Sequence, residues 1–427
     1  MLENLSDDKK FYKFVIPSIG AMLVTGLYFV VDGIFVGRGV GTTGLAAVNI
    51  AIPFISLLTA VTMMVAMGGA TLTSIEFGKK DYKKANNYFN LSLMIVFSFS
   101  LFMTLISVLF PVQLARFLGA SKVLEEGTAT YLKYYVIFGI FFCGSSILSV
   151  FVRNDNNPEL ALWGMITGAV TNVFLDWLLI FPLNMGLKGA AIASGLGQIL
   201  ACIVLLFHFV SGKGTLKISM PKINKKNLLD IIKIGRPEFI TQMSQPVTIL
   251  CYNYLAMKIF GDIGVSAFSV ISYILVIVIC VFTGLGQGIQ PLISQSIGQN
   301  KKEKANYFFK KGIKLNILLS VIIYGIMLVF GKSIISIFNS DEDLISIAYK
   351  CMSVYGISFI FASVNIVYTV YYLATKNTNY ALIISGLRSF VLNSIFIFAV
   401  PLVLGKSFVW GGMIMAELSV MLVAMFV

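Results

Sequence analysis

Twelve long apolar runs, separated by short polar breaks, leave this chain few folds to choose from. A helix that crosses a bilayer needs about 20 mostly apolar residues. Runs of that length or more fall at 11–36, 45–75, 86–110, 128–152, 158–182 and 189–211. A second set falls at 231–258, 264–295, 306–330, 346–374, 379–403 and 408–427. Only 12% of the residues are charged, against 58% hydrophobic, whereas a soluble domain carries about 25% charged residues. Such a chain cannot cover itself with polar surface. The reading is an all-α integral membrane protein of twelve spans, several of them long enough to tilt or protrude.

A net charge of +13 invites a nucleic-acid role, but the basic residues lie between apolar runs and not along one face. No nucleic-acid partner is expected. Cys143, Cys202, Cys251, Cys280 and Cys351 all sit inside apolar runs and read as small buried hydrophobes. His208 is the single histidine, so no multi-histidine metal site is expected. No cofactor is expected, and no cleavable signal precedes the first run.

Basic loops fix orientation. One set of alternate loops holds Lys79, Lys80, Lys83, Lys84, Arg153, Lys301, Lys302, Lys304, Lys310, Lys311 and Lys376. It also holds the longest polar connection, with Lys213, Lys217, Lys222, Lys225 and Lys226. That side is expected to face the cytoplasm, with both termini, and Asp341-Glu342-Asp343 to face outside. The organisation is therefore a six-span lobe at 1–211, a cytoplasmic linker at 212–227 and a second six-span lobe at 228–427.

The two lobes repeat. An offset of 220, set by Pro17 and Pro237, also matches Lys13 to Lys233, Gly41 to Gly261, Gly68 to Gly288 and Gly78 to Gly298. It continues through Lys84-Ala85-Asn86 on Lys304-Ala305-Asn306. Six spans separate the mates, so this is a parallel repeat about an axis along the membrane normal. Two such lobes facing each other make a central cleft.

Charges inside spans are costly and mark function. Asp32, Glu76, Asp176, Glu238, Arg388 and Glu417 are the ones present. Glu76, beside Lys79 and Lys80, reads as an interface residue, and Glu238 as a local ion pair with Arg236. Asp32 lies roughly 30 Å up span 1 and Asp176 roughly 27 Å up span 5 at 1.5 Å per residue. Asn172 shares the Asp176 face, four residues before it. Ser194 and Ala190 lie at similar depth on span 6. Two carboxylates, an amide oxygen and a hydroxyl suit a hard cation such as sodium, or a proton; the plain alternative is local pairing. The mate of Asp32 is Tyr252, so the site is not duplicated. Arg388 and Glu417 both reach the midplane and are expected to pair. The pair is either structural, or Glu417 lines the cleft and meets cationic substrate. Met63, Met64 and Met67 are either packing or adaptable cleft wall. Pro17 and Pro53, with Pro237, Pro246 and Pro291, are static kinks or hinges.

Taken together these segments resemble multidrug and toxic compound extrusion (MATE) transporters. Asn172-Val-Phe-Leu-Asp176 and the run from Met185 to Gln198 look like their helices 5 and 6. Val31-Asp32-Gly-Ile-Phe-Val-Gly37 looks like their helix 1. Gly78-Lys-Lys-Asp-Tyr-Lys-Lys-Ala85 and Gly298-Gln-Asn-Lys-Lys-Glu-Lys-Ala305 look like the loops after helices 2 and 8. The likeness covers nearly the whole chain and is greatest to the prokaryotic DinF-type branch. It implies that the two lobes stand in a V and that the protein is a monomeric plasma-membrane exporter of small-molecule drugs and toxic organic cations, driven by sodium or protons. It also implies that Asp32, Asn172, Asp176, Ser194 and the Ala190 carbonyl hold the coupling cation, and that Pro17 takes part in bending. Trp177 stands where many members have proline. The nearest rival is a flippase for lipid-linked sugars, which calls for a strongly cationic cleft; only Arg388 lies at midplane depth, with Lys133 and Lys350 nearer the outer ends. An intramembrane enzyme lacks a nucleophile–base pair.

Overall fold

The computed structural model describes residues 6–212, 214–338 and 341–426. The expectations for Lys213 and for the final Val427 lie outside them. Spans 1 to 3 are Asp7–Gly39, Thr42–Gly78 and Tyr82–Leu109. Span 4 is a bent pair, Glu125–Val136 and Gly139–Asn154, and spans 5 and 6 are Pro158–Ile180 and Gly186–Val210. A single 74-residue helix, Lys225–Gly298, follows. At 1.5 Å per residue it would run for about 110 Å, several times a bilayer core. It is broken at Gly261, whose φ of 67° and ψ of −154° are not helical. Gly261 divides it into spans 7 and 8. Span 9 is Lys302–Ser336, and span 10 is the bent pair Glu342–Tyr355 and Ser358–Ala374. Span 11 runs Thr378–Leu404 and span 12 is Gly412–Phe426. Among the described residues there are thus twelve spans and no strand.

Polar side chains at the breaks start the helices. Asp81 accepts the Lys84 N–H at 3.0 Å, Asn157 the Leu160 N–H at 3.3 Å and Asp341 the Leu344 N–H at 2.9 Å. Away from the breaks, large apolar side chains stand exposed along the spans: Phe102, Trp163, Phe330 and Leu402 among them. A belt of that kind is stable only against lipid, and the protein is a multi-pass membrane protein.

The repeat is written into the backbone. Left-handed φ angles occur at Gly41 and Gly261, at Lys80 and Asn300, and at Asn156 and Lys376, each pair 220 residues apart. Spans 4 and 10 bend alike, by 50° and 48°. These bends were not expected from the apolar pattern, nor was the short helix Pro111–Phe117 before span 4.

Each lobe has its own core. Phe89, Phe151, Leu132 and Leu205 anchor the first, and Tyr252, Phe268, Phe282 and Phe359 the second. A third cluster crosses the seam. Phe11, Phe14 and Val15 of span 1 pack with Leu285, Ile289 and Phe308 of spans 8 and 9. Glycines bring the lobes into backbone contact at the end of the molecule nearest the linker, the linker side. A β-carbon on Gly235 would collide with the Met64 carbonyl, and one on Gly288 would stand 2.8 Å from Val15 Cα. Val15 is the mate of Gly235, so the contact of span 2 with span 7 is repeated by that of span 8 with span 1.

The connection between the lobes is held against the first lobe by side-chain amides. Asn86 accepts the Lys217 N–H at 2.7 Å, Asn90 the Ser219 N–H at 2.8 Å and Asn87 the Lys222 N–H at 2.7 Å. Asp155, buried at the end of span 4, accepts the N–H groups of Thr215 and Leu216 at 3.0 and 3.2 Å and pairs with His208 Nε2 at 2.9 Å.

Candidate functional site

Spans 1, 5 and 6 bring Asp32, Asn172, Asp176 and Ser194 together. Asn172, Asp176 and Ser194 are buried, and Asp32 is half-buried. Asn172 Nδ2 donates to Ser194 Oγ at 3.2 Å, and Ser194 Oγ donates to Asp32 Oδ1 at 3.4 Å. Both oxygens of Asp176 and Oδ1 of Asn172 are buried and receive no hydrogen bond. The carboxyl groups of Asp32 and Asp176 face each other. Buried oxygens without donors are costly. A hard cation or a shared proton would satisfy them, because both supply positive charge to acceptor-only atoms.

Helical spacing explains the layering around this cluster. One turn farther from the linker side, Val36, Ile180 and Ala190 form a small buried apolar cluster. The Ala190 side chain thus belongs to an apolar cap over the carboxylates. One turn nearer the linker side lie Tyr28, Asn172 and Gln198, and Ser145 donates to Gln198 Oε1 at 2.5 Å. Thr25, Tyr28 and Gln198 line a small cavity there. Tyr131 and Tyr135, stacked at 5.5 Å on the half of span 4 farther from the linker side, also stand within electrostatic reach of Asp32. The sequence reading missed these tyrosines; the i, i+4 pair Tyr131 and Tyr135 on a span facing Asp32 was the available signal.

The second lobe is built differently at the same place. Tyr252, the mate of Asp32, is fully buried, stacks on Trp410 at 5.9 Å and accepts the Met413 N–H at 3.2 Å. Phe268 and Tyr355 complete an aromatic cluster. The carboxylate within electrostatic reach of that cluster is Glu417, beside Tyr355, and it is already engaged by other partners.

Arg388 and Glu417 form the expected pair, with Nε donating to Oε1 at 2.7 Å. Asn365 Nδ2 donates to the other Glu417 oxygen at 2.7 Å. Glu417 is fully buried, so both its oxygens are engaged inside the lobe. Arg388 sits on a π-helical turn, Leu387–Val391, that the sequence did not announce. Met67 is buried in the first-lobe core, and Met63 packs half-buried against it. The structure does not bring either methionine to the ion pair in one cluster. Pro17 and Pro237 lie inside helices that continue past them.

One ionic expectation is corrected. Glu238 does not pair with Arg236; Gln242 Nε2 donates to it at 2.8 Å, while exposed Arg236 turns back to the Lys233 carbonyl. Glu238 is set on the inner face of the helix, where an amide one turn on is in reach and a solvated guanidinium is not. Glu76, at the linker-side end of span 2, is buried and pairs with Lys79 at 3.0 Å and with Lys84 at 3.2 Å. The left-handed turn at Lys80 returns the chain so that Lys84 overlies the carboxylate.

Comparison with known proteins follows the same outline. The MatE family model matches residues 17–178 and 237–399, one match in each lobe. The matches begin at Pro17 and Pro237, the pair that sets the repeat. The multidrug export protein MepA of Staphylococcus saprophyticus is 24% identical over 92% of this chain and 89% of its own length. MepA of Staphylococcus haemolyticus is 26% identical with the same coverage. Among solved structures, a MATE crystallised in complex with MaL6 superposes with a TM-score of 0.93 at 20% identity, covering 99% of this chain and 95% of the other. A MOP superfamily transporter from Pyrococcus furiosus gives 0.91 at 21%, with the same coverage. With a family match in both lobes and this two-lobed, twelve-span fold, the chain belongs to the MatE family.

Proposed function

We propose that the protein exports amphipathic, largely cationic small molecules across a prokaryotic plasma membrane in exchange for sodium or protons. The observation that carries the reading is the donor-free oxygen cluster of Asp176 and Asn172 beside Asp32 and Ser194. The names of the MepA relatives support the choice of cargo. The basic loops support an orientation with the linker side and both termini in the cytoplasm.

The cycle is alternating access. In this arrangement the Phe11, Phe14 and Leu285 cluster and the seam glycines close the linker side. Binding of a cation at Asp32 and Asp176 biases the first lobe alone, since Tyr252 leaves the second without a counterpart. Cargo and cation need only prefer different states to be coupled. Each charge moved inward is worth about 2.3 kcal/mol per 100 mV. Bending of span 1 at Pro17, and of span 7 at Pro237, would let the lobes part.

The test is dye efflux from proteoliposomes with imposed sodium and proton gradients in turn, for wild type and Asp32→Asn. Efflux driven by one gradient and lost in the variant supports export and names the ion. If neither gradient moves a cationic dye in the wild type, drug export is wrong and flipping of an amphipathic metabolite takes its place.

A further inference from the structure

A second polar site lies at the seam, far from the carboxylates. On the linker side an open cavity of about 450 Å³ is lined by Leu72 of span 2, by Asp230, Lys233 and Ile234 at the start of span 7, and by the loop Lys376–Tyr380. Its polar walls all belong to the second lobe, and the first lobe contributes Leu72. Lys233 and Lys376 have no acidic group within ion-pair distance among the described residues. Glu76, the nearest buried carboxylate, is already shared by Lys79 and Lys84. Lys376 feels both of those cations. Desolvation first, then Lys79 and Lys84, pull its ammonium below the usual lysine range, while Glu76 and Asp230 act against them.

The repeat shows what is different about this loop. Asn156 and Lys376 are mates with the same left-handed φ, 66° and 64°. In the first lobe the adjoining Asn157 caps span 5, and the linker lies close by, held by Asp155. In the second lobe the mate Asn377 makes no side-chain cap on span 11. Thr378 and Asn379, the first residues of span 11, line the same cavity as the two lysines. Tyr380 stands at its rim, 42% exposed and 5.4 Å from the Tyr372 ring, a pairing common at the depth of lipid headgroups.

We propose that this cavity binds a phosphate ester, either the headgroup of an anionic phospholipid or a soluble phosphorylated metabolite. Basic pockets between spans recognise such groups by charge and by hydrogen bonds from lysine. Asp230 faces the same space and opposes the anion, so it sets how tightly phosphate is held. The proposal does not depend on what the protein exports.

Native mass spectrometry of the full chain in detergent tests it, with dioctanoyl phosphatidylglycerol, dioctanoyl phosphatidylcholine and glycerol 3-phosphate as probes. Phosphatidylglycerol is expected to outcompete phosphatidylcholine. Lys233→Gln and Lys376→Gln should each lower its occupancy roughly fivefold, and Asp230→Asn should raise it. The same lysine dependence with glycerol 3-phosphate alone supports the site and assigns it to a soluble ligand. Occupancy of both probes unchanged in the double lysine variant overturns the site. Asp230→Asn keeps the test open if that variant does not fold.

Discussion

Gly78 and Gly298 are mates in the repeat and face each other across the seam: a β-carbon on Gly78 would stand 2.8 Å from Gly298 Cα. Two equivalent positions can meet only on the axis that relates the halves, so the pseudo-twofold passes between them. A β-carbon on Gly298 would likewise collide with the Ile75 carbonyl. Gly298→Val is therefore expected to hold the linker side apart. Spin labels on that side should show a longer distance in the variant. An unchanged distance would mean that the seam relaxes at no cost.

In the carboxylate cluster, Asp176→Asn should abolish ion-driven efflux as completely as Asp32→Asn. It replaces an acceptor with a donor that meets Asn172 and Asp32. Ser194→Ala removes the hydrogen bond to Asp32 at 3.4 Å and the one accepted from Asn172 at 3.2 Å and should raise the ion concentration needed for half-maximal efflux about fivefold, for a loss of about 1 kcal/mol. Full activity of Asp176→Asn under either gradient would place the coupling site elsewhere.

Copying the carboxylate into the second lobe should fail. Tyr252→Asp would bury an unpaired charge among Trp410, Phe268 and Tyr355, which costs several kcal/mol. The variant is expected to unfold well below the wild type in a thermal melt. Tyr252→Phe, which loses only the bond from the Met413 N–H, should cost about 1 kcal/mol. Efflux with a doubled ion stoichiometry in Tyr252→Asp would show instead that the second lobe retains a usable site.

Arg388 and Glu417 should behave as a buried pair. Glu417→Gln leaves the guanidinium without its partner and is expected to cost about 3–5 kcal/mol. Arg388→Met with Glu417→Gln should recover most of that loss. Thermal melts of the two single variants and the double measure the coupling. If Glu417→Gln is stable but stops export of cations only, Glu417 meets substrate in another state of the cycle.

Much of this architecture was legible in the chain, for a physical reason. Lipid imposes helices of set length, so the apolar runs had to be spans, and the gapless offset from Pro17 to Pro237 had to be a repeat. The cluster of Asp32, Asn172, Asp176 and Ser194 was legible because charges are rare in that solvent. What escaped was geometry with no compositional mark. The bends at Ile137 and Gly356 lie in runs as apolar as any straight helix. The π-turn at Arg388 adds one residue to a pattern without a polar stripe to register it. Glu238 was assigned to Arg236 by adjacency, but neighbours in a helix point apart and a residue one turn away is nearer. The Asp155–His208 pair joins the ends of two spans 53 residues apart, and only the presence of a lone histidine hinted at it.

The amide ladder on span 3 has a mechanical consequence. The connection between the lobes looks long in sequence, but Lys222 is fixed by Asn87 and the next helix begins at Lys225. The slack left between the fixed points is about three peptide units, or roughly 10 Å of reach. It is a leash, not a tether of free chain. Any movement that carried the start of span 7 farther from span 3 than that must first peel the asparagines off the strand they grip. The width to which the linker side can open is thereby metered by three side chains that touch neither ion nor cargo.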